Sequence, residues 1–216
     1  MKILALETST SEGGLAILED RQILFSYDFK TNENFGQNLF PLIDSAFKES
    51  KLTLKDLAFI CVNSGPGSYT GLRVGVTCAN TLSWANKIPS IGISTLFNMA
   101  FSSQHVGKIG SLLFGNDKEA FFASFEKSGF SIKPIIPDEK LTWEVAIEKC
   151  SHCDIIIYYS AKKHPIPSIK NIIEWQPNVN SIGQSGFYLY HQQLEKTFGT
   201  IQPNYLRDFE VTTKKI

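Results

Sequence analysis

Chemistry in this chain could start from one glycine-rich stretch, Gly65-Pro66-Gly67-Ser68-Tyr69-Thr70-Gly71, which continues as Leu72-Arg73-Val74-Gly75. It follows the apolar run Leu57–Val62 and precedes a helical pattern. Glycines at such a handover let backbone N–H groups approach an anion, and a helix N-terminus adds its positive dipole. Gly65, Gly67, Ser68 and Gly71 are therefore candidate anion or nucleotide contacts. The same glycines could equally serve a tight turn and close helix packing. A phosphate loop of the Walker type is excluded, because Leu72-Arg73 follows Gly71 where Lys and Ser/Thr are needed. A second cluster, Cys150-Ser151-His152-Cys153, offers thiol and imidazole donors for a metal or a redox pair. No further cysteine pair lies nearby to complete a site, so a buried helix-to-strand junction is the default. His105, His152, His164 and His191 show no HxxxH or HExxH spacing. No catalytic residue and no metal ligand is assigned.

The elements that must hold these residues follow from periodicity and turn signals. Lys2–Glu7, Leu15–Leu18 and Ile23–Phe29 read as three strands separated by polar turns. A helix with apolar positions Phe35, Leu39, Leu42, Ile43, Ala46 and Phe47 comes next. Thr31 or Asn32 is its expected cap, and Pro41 is expected to kink it or to mark its first turn. Strand Leu57–Val62, a helix over Leu72–Ala85, strand Ser90–Ile93 and a helix from Thr95 to Phe101 complete a first half. After a linker at Ser102–Gly107, strands are expected at Ile109–Phe114, Ala120–Phe125 and Ser131–Pro134. A helix over Asp138–Cys150 and a strand at Asp154–Tyr159 follow. His164–Pro177 should be mostly irregular, and a last helix fits Ser185–Phe198. No repeat with a period of 20 to 50 residues is visible. The expected architecture is α/β in two small subdomains, residues 1–103 and 104–216.

The helix over Leu72–Ala85 is apolar around much of its circumference, which requires cover on more than one side. That cover could come from the preceding helix or from a partner protein.

Composition bounds the function classes. The 216 residues carry 21 Lys+Arg against 21 Asp+Glu, so the chain lacks the basic excess of a free-standing nucleic-acid binder. Hydrophobic residues at 43% and sixteen Phe argue against disorder. No apolar run reaches the roughly 18 residues of a membrane span, and the first strand is too short for a signal peptide's apolar region. Four cysteines do not make a disulfide scaffold. A soluble, cytoplasmic protein without a membrane partner is expected.

Three segments together, ILALETSTSEGGLAIL at the start, GPGSYTGLRVG in the middle and PNYLRD near the end, resemble the TsaB (YeaZ) family. The resemblance covers most of the chain and is most specific over residues 1–100. It implies an actin/sugar-kinase-like (ASKHA) fold and kinship with TsaD, the transferase that makes threonylcarbamoyladenosine at position 37 of tRNAs. The two metal-binding histidines of TsaD would fall at Thr95 and Met99, neither a suitable ligand for that metal. The family therefore implies a non-catalytic subunit that binds and activates a TsaD-like transferase, with a TsaE-like ATPase joining and tRNA reached through the complex. No cofactor is expected on this chain, ATP being used by the complex. Family members also form homodimers. The expected partner interface is Leu39, Ile43 and Phe47 on the first helix with Val76, Asn80 and Ser83 on the second. Where the family usually has Asp at the first turn, this chain has Glu7. A small nucleotide-binding phosphotransferase or a metallopeptidase-like enzyme is the alternative.

Overall fold

The computed structural model describes residues 1–10, 12–29, 35–161, 169–192 and 200–206. In chain order the elements are β1 (Lys2–Glu7), β2 (Gly14–Glu19), β3 (Gln22–Asp28), α1 (Phe35–Ser50), β4 (Leu57–Gly65), α2 (Tyr69–Asn86), β5 (Ser90–Ser94) and α3 (Thr95–Ser102). They continue with β6 (Gly107–Phe114), β7 (Glu119–Ser128), β8 (Ser131–Thr142), α4 (Trp143–Cys150), β9 (Ile155–Tyr159), β10 (Ile172–Glu174) and α5 (Val179–His191).

The strands form two five-stranded sheets, ordered β3-β2-β1-β4-β5 and β10-β9-β6-β7-β8. In each sheet the first three strands of the half pair antiparallel and the next two add in parallel beside the first. The two halves thus repeat one strand order without a visible sequence repeat.

Hydrophobic patterning explains which helix covers which face. β1 reads as a continuous apolar run, so it needs cover on both sides. Leu4 and Leu6 pack with Leu39, Ile43 and Phe47 of α1 and Val76 and Ala79 of α2. Ile3 and Ala5 pack on the opposite face with Val179, Ile182 and Phe187 of α5. The second sheet is built alike. Leu96, Met99 and Ala100 of α3 join Ile109, Phe121 and Ile157 on one face, and α4 covers the other through Ala146 and Cys150. The expected division at residue 103 separates the sheets but not the helices: α3 belongs to the first half by sequence and covers the second sheet, while α5 does the reverse.

Three elements differ from the expectation. Residues 138–142 extend β8 along β7 instead of opening α4, which starts at Trp143. Pro134 and Pro137 fit there because β8 is an edge strand, where a missing N–H is tolerated. β10 lies in the stretch expected to be irregular, and α5 starts at Val179, capped by Asn178, six residues before Ser185. Pro41 sits inside α1. The expected cap residues Thr31 and Asn32, His164 and the expected helix end at Phe198 lie outside the described residues. No described helix is long and apolar enough to cross a membrane.

Candidate functional site

The candidate site gathers where the parallel strands β1, β4 and β5 end, the region where open α/β sheets commonly take ligands. Four segments converge there: the turn after β1, the cis Gly65-Pro66 peptide after β4, the start of α2 and the start of α3.

The glycines of the loop are there for close approach. A Cβ at Gly71 would lie 1.8 Å from the Thr8 carbonyl oxygen, one at Gly75 2.2 Å from Thr8 Oγ1, and one at Gly67 2.5 Å from the Ser9 carbonyl oxygen. Gly65 adopts φ +110°, a conformation few side chains tolerate. Contact between α2 and the first turn is direct: Thr8 Oγ1 donates to the Gly71 carbonyl at 2.7 Å, and Ser68 N–H donates to the Ser9 carbonyl at 2.7 Å. Ser68 is the N-cap of α2, its Oγ accepting from Gly71 N–H at 3.3 Å and its carbonyl from Leu72 N–H. Three N–H groups at this helix start, those of Ser68, Gly71 and Leu72, therefore point at oxygens of the chain itself.

Behind the loop lies a polar network that the sequence did not announce. Glu7 is fully buried at the end of β1. Its Oε1 accepts from Ser9 N–H, Ser9 Oγ and Thr10 N–H, and its Oε2 accepts from Asn63 Nδ2 at 2.6 Å. Burial pushes the carboxyl above its ordinary range, and these donors pull it back. Asn63 Oδ1 faces Gly65 N–H at 2.9 Å and the Thr95 hydroxyl at 2.8 Å. The Thr95 hydroxyl also lies 2.7 Å from the Pro66 carbonyl. One carboxylate and one carboxamide thereby tie β1, β4, the glycine loop and α3 together. The family resemblance singles out Glu7 and Thr95 one by one, and polar residues close two apolar runs, Glu7 after Ile3–Leu6 and Asn63 after Leu57–Val62; neither signal joins them into a network.

The two positions of the family's metal histidines sit at the start of α3. Thr95 is held in that network, and Met99, one turn on, is fully buried in the core of the second sheet. A hydroxyl and a buried thioether make a poor donor set for an iron or zinc ion.

Residues 200–206 strap the site from the outside. Ile201 exchanges two bonds with the Asn80 carboxamide, and Asn204 N–H donates to the Ser64 carbonyl. Asn204 Nδ2 and Ser94 Oγ both donate to Asp138 Oδ2, at 3.0 and 2.6 Å. Burial raises the Asp138 carboxyl above its ordinary range, against the pull of these two donors. Tyr205 packs on Tyr69, and the Arg73 guanidinium lies 4.0 Å from the Tyr69 ring centre.

The expected interface residues need correction. Leu39, Ile43, Phe47, Val76 and Ser83 all point into the chain's own interior, and Asn80 binds Ile201. Helical periodicity marked the buried stripe, and here α1, α2 and the sheet bury it against one another. Exposed on these two helices instead are Phe40 and Trp84, 52% and 67% exposed, and the polar Asp44, Lys48, Arg73, Thr77 and Thr81.

Cys150 and Cys153 lie at the junction of α4 and β9. Burial pushes their thiols up to about 12 and about 11, which keeps them protonated at neutral pH, and His152 is exposed. Among the described residues no three His, Cys, Asp or Glu side chains are gathered to hold a metal ion.

Comparison with known proteins places this geometry. Residues 30–172 match the family model described as TsaD: tRNA N6-adenosine threonylcarbamoyltransferase. A Bacillus subtilis (strain 168) chain named tRNA threonylcarbamoyladenosine biosynthesis protein TsaB is 30% identical over 142 residues, covering 65% of this chain and 62% of that one. The Escherichia coli (strain K12) protein of the same name is 32% identical over 100 residues, 46% of this chain and 43% of that one. The chain thus spans less than two thirds of the length of these relatives. Among solved structures, YeaZ from Pseudomonas aeruginosa superposes with a TM-score of 0.75 at 17% identity, over 95% of this chain and 99% of that one. A ROK family protein from Streptococcus pneumoniae TIGR4 follows at 0.50 and 11%, over 89% and 99%. The fold is the actin/sugar-kinase-like α/β fold in its YeaZ form. By sequence the chain belongs to the TsaD family, and within it to the TsaB (YeaZ) group.

Proposed function

We propose that this chain is a non-catalytic subunit of the assembly that makes threonylcarbamoyladenosine in tRNA, where it binds and activates a TsaD-like transferase. The observation that carries the proposal is the environment of Thr95 and Met99. A metal-dependent transfer needs an ion to polarise and orient its substrate, and here the two ligand positions hold a hydroxyl tied into the Asn63 network and a buried thioether. The proposal gives the chain no cofactor of its own. In support, three N–H groups at the start of α2 are already occupied by Ser9 and Ser68 oxygens.

The face offered to the transferase is the outside of α1 and α2, centred on Phe40 and Trp84. A large exposed aromatic on a helix face rimmed by polar residues has the composition of an interface anchor. A TsaE-like ATPase joins the same assembly, and tRNA is reached through it; a second copy of this chain competes for the same face.

Reconstituted tRNA modification with a TsaD-like transferase and a TsaE-like ATPase, with and without this chain, tests the proposal. Turnover should depend on the chain, and Trp84→Asp should remove that dependence while shifting the chain's own stability by no more than about 0.5 kcal/mol, as for other surface changes. Equal turnover without the chain refutes it.

A further inference from the structure

We infer that Lys127 is a latch that ties the second sheet to the end of α3 and so fixes how the two halves of the molecule face each other. α3 is the helix by which the chain passes from one half to the other. The last carbonyls of any helix lack partners within it, and the negative end of its dipole favours a cation there.

Lys127 of β7 supplies that cation. Its Nζ donates to the carbonyls of Ala100 at 3.4 Å, Phe101 at 2.6 Å and Ser103, so it is ringed by carbonyls of the last turn of α3 and its C-cap. The ammonium also lies 5.6 Å from the centre of the Phe101 ring. Lys127 is 8% exposed, and no carboxylate pairs with it among the described residues.

If the end of α3 slides away from β7, the ammonium loses these carbonyl acceptors, which is costly for a charge with little exposed surface. The contact is therefore expected to be lost with local opening of this end. What it closes is the seam between the halves. Asn98 of α3 binds Ser181 and Ser185 of α5 there. The Trp175 indole N–H reaches Ser102 Oγ, beside a cavity of about 410 Å³ lined by Phe101, Ser102, Gln176 and Gln184.

Amide hydrogen exchange on the full chain tests this. In Lys127→Met, exchange at residues 100–107 and 175–184 should quicken at least tenfold, with β1 and β4 unchanged. Trp175→Phe, which removes the indole donor and part of a buried ring but leaves the ammonium in place, should have the smaller effect. Unchanged exchange in Lys127→Met, an equal rise in β1 and β4, or a larger effect from Trp175→Phe each overturns the latch. Should Lys127→Met fail to fold, Lys127→Gln, which keeps donors but drops the charge, is measured in its place and read by the same outcomes.

Discussion

Gly71→Ala places one methyl group against the contact on which the candidate site is built. The added carbon would sit 1.8 Å from the Thr8 carbonyl oxygen, a backbone atom that no rotamer change can move. To reach ordinary contact at 3.4 Å, α2 and the first turn must separate by about 1.6 Å. That separation breaks the Thr8 hydroxyl bond to Gly71 and the Ser68 N–H bond to Ser9. Two hydrogen bonds, one of them buried, are worth about 2 kcal/mol net, and overpacking adds ~1–3 kcal/mol. Alanine returns roughly 1 kcal/mol through its better helix propensity. The expected net loss is about 2–4 kcal/mol, read as a lower urea midpoint at an unchanged slope. Gly129→Ala is the reference: nothing lies within 4 Å of the new carbon, and only its φ of +58° opposes it, at ~1–2 kcal/mol. If Gly71→Ala costs no more than Gly129→Ala, the close approach is not what the glycine provides, and the reasoning fails.

Two further outcomes follow from the strap. Asn80→Ala removes both bonds to Ile201 and should cost about 1–2 kcal/mol, with faster amide exchange at residue 201 and little change in β1. Asp138 carries a pH signature. Because burial raises its carboxyl, the folded chain holds this proton to a higher pH than the unfolded chain does. Stability from that group is present below its ordinary value of 3.8 and declines as pH rises through the raised value. Wild type should therefore lose stability relative to Asp138→Asn as pH is raised from about 4 in urea titrations; a difference that widens in the opposite direction contradicts the assignment.

Much of the scaffold was legible because its signals are local. The strand–turn–helix around the glycine loop follows from an apolar run, a glycine cluster and a second apolar period, and β4, α2, β5 and α3 formed close to their expected bounds. Where the expectation slipped, the deciding contacts were distant. Residues 138–142 became strand because Glu119–Phe122 lies alongside to pair with them. The apolar stripe of α1 and α2 is legible, yet periodicity records that a face is covered and not by what; the family resemblance assigns Leu39 and Val76 to a partner, and their own sheet covers them. Glu7, Asn63 and Thr95 stand 56 and 32 residues apart in sequence and meet through the pairing of β4 with β1 on one side and β5 on the other. The doubled strand order left no trace in residue identity, since a strand order needs only matching hydrophobic patterns.

The exchange of α3 and α5 between the halves has a consequence for how the molecule comes apart. A break in the connection at residues 103–106 would not release two autonomous pieces, because each would lose the helix that keeps one side of its sheet dry. Met99 and Val179, fully buried as they stand, would then face water in opposite fragments. The halves should consequently melt together in one transition, and fragments cut there should stay associated until denaturant removes both at once.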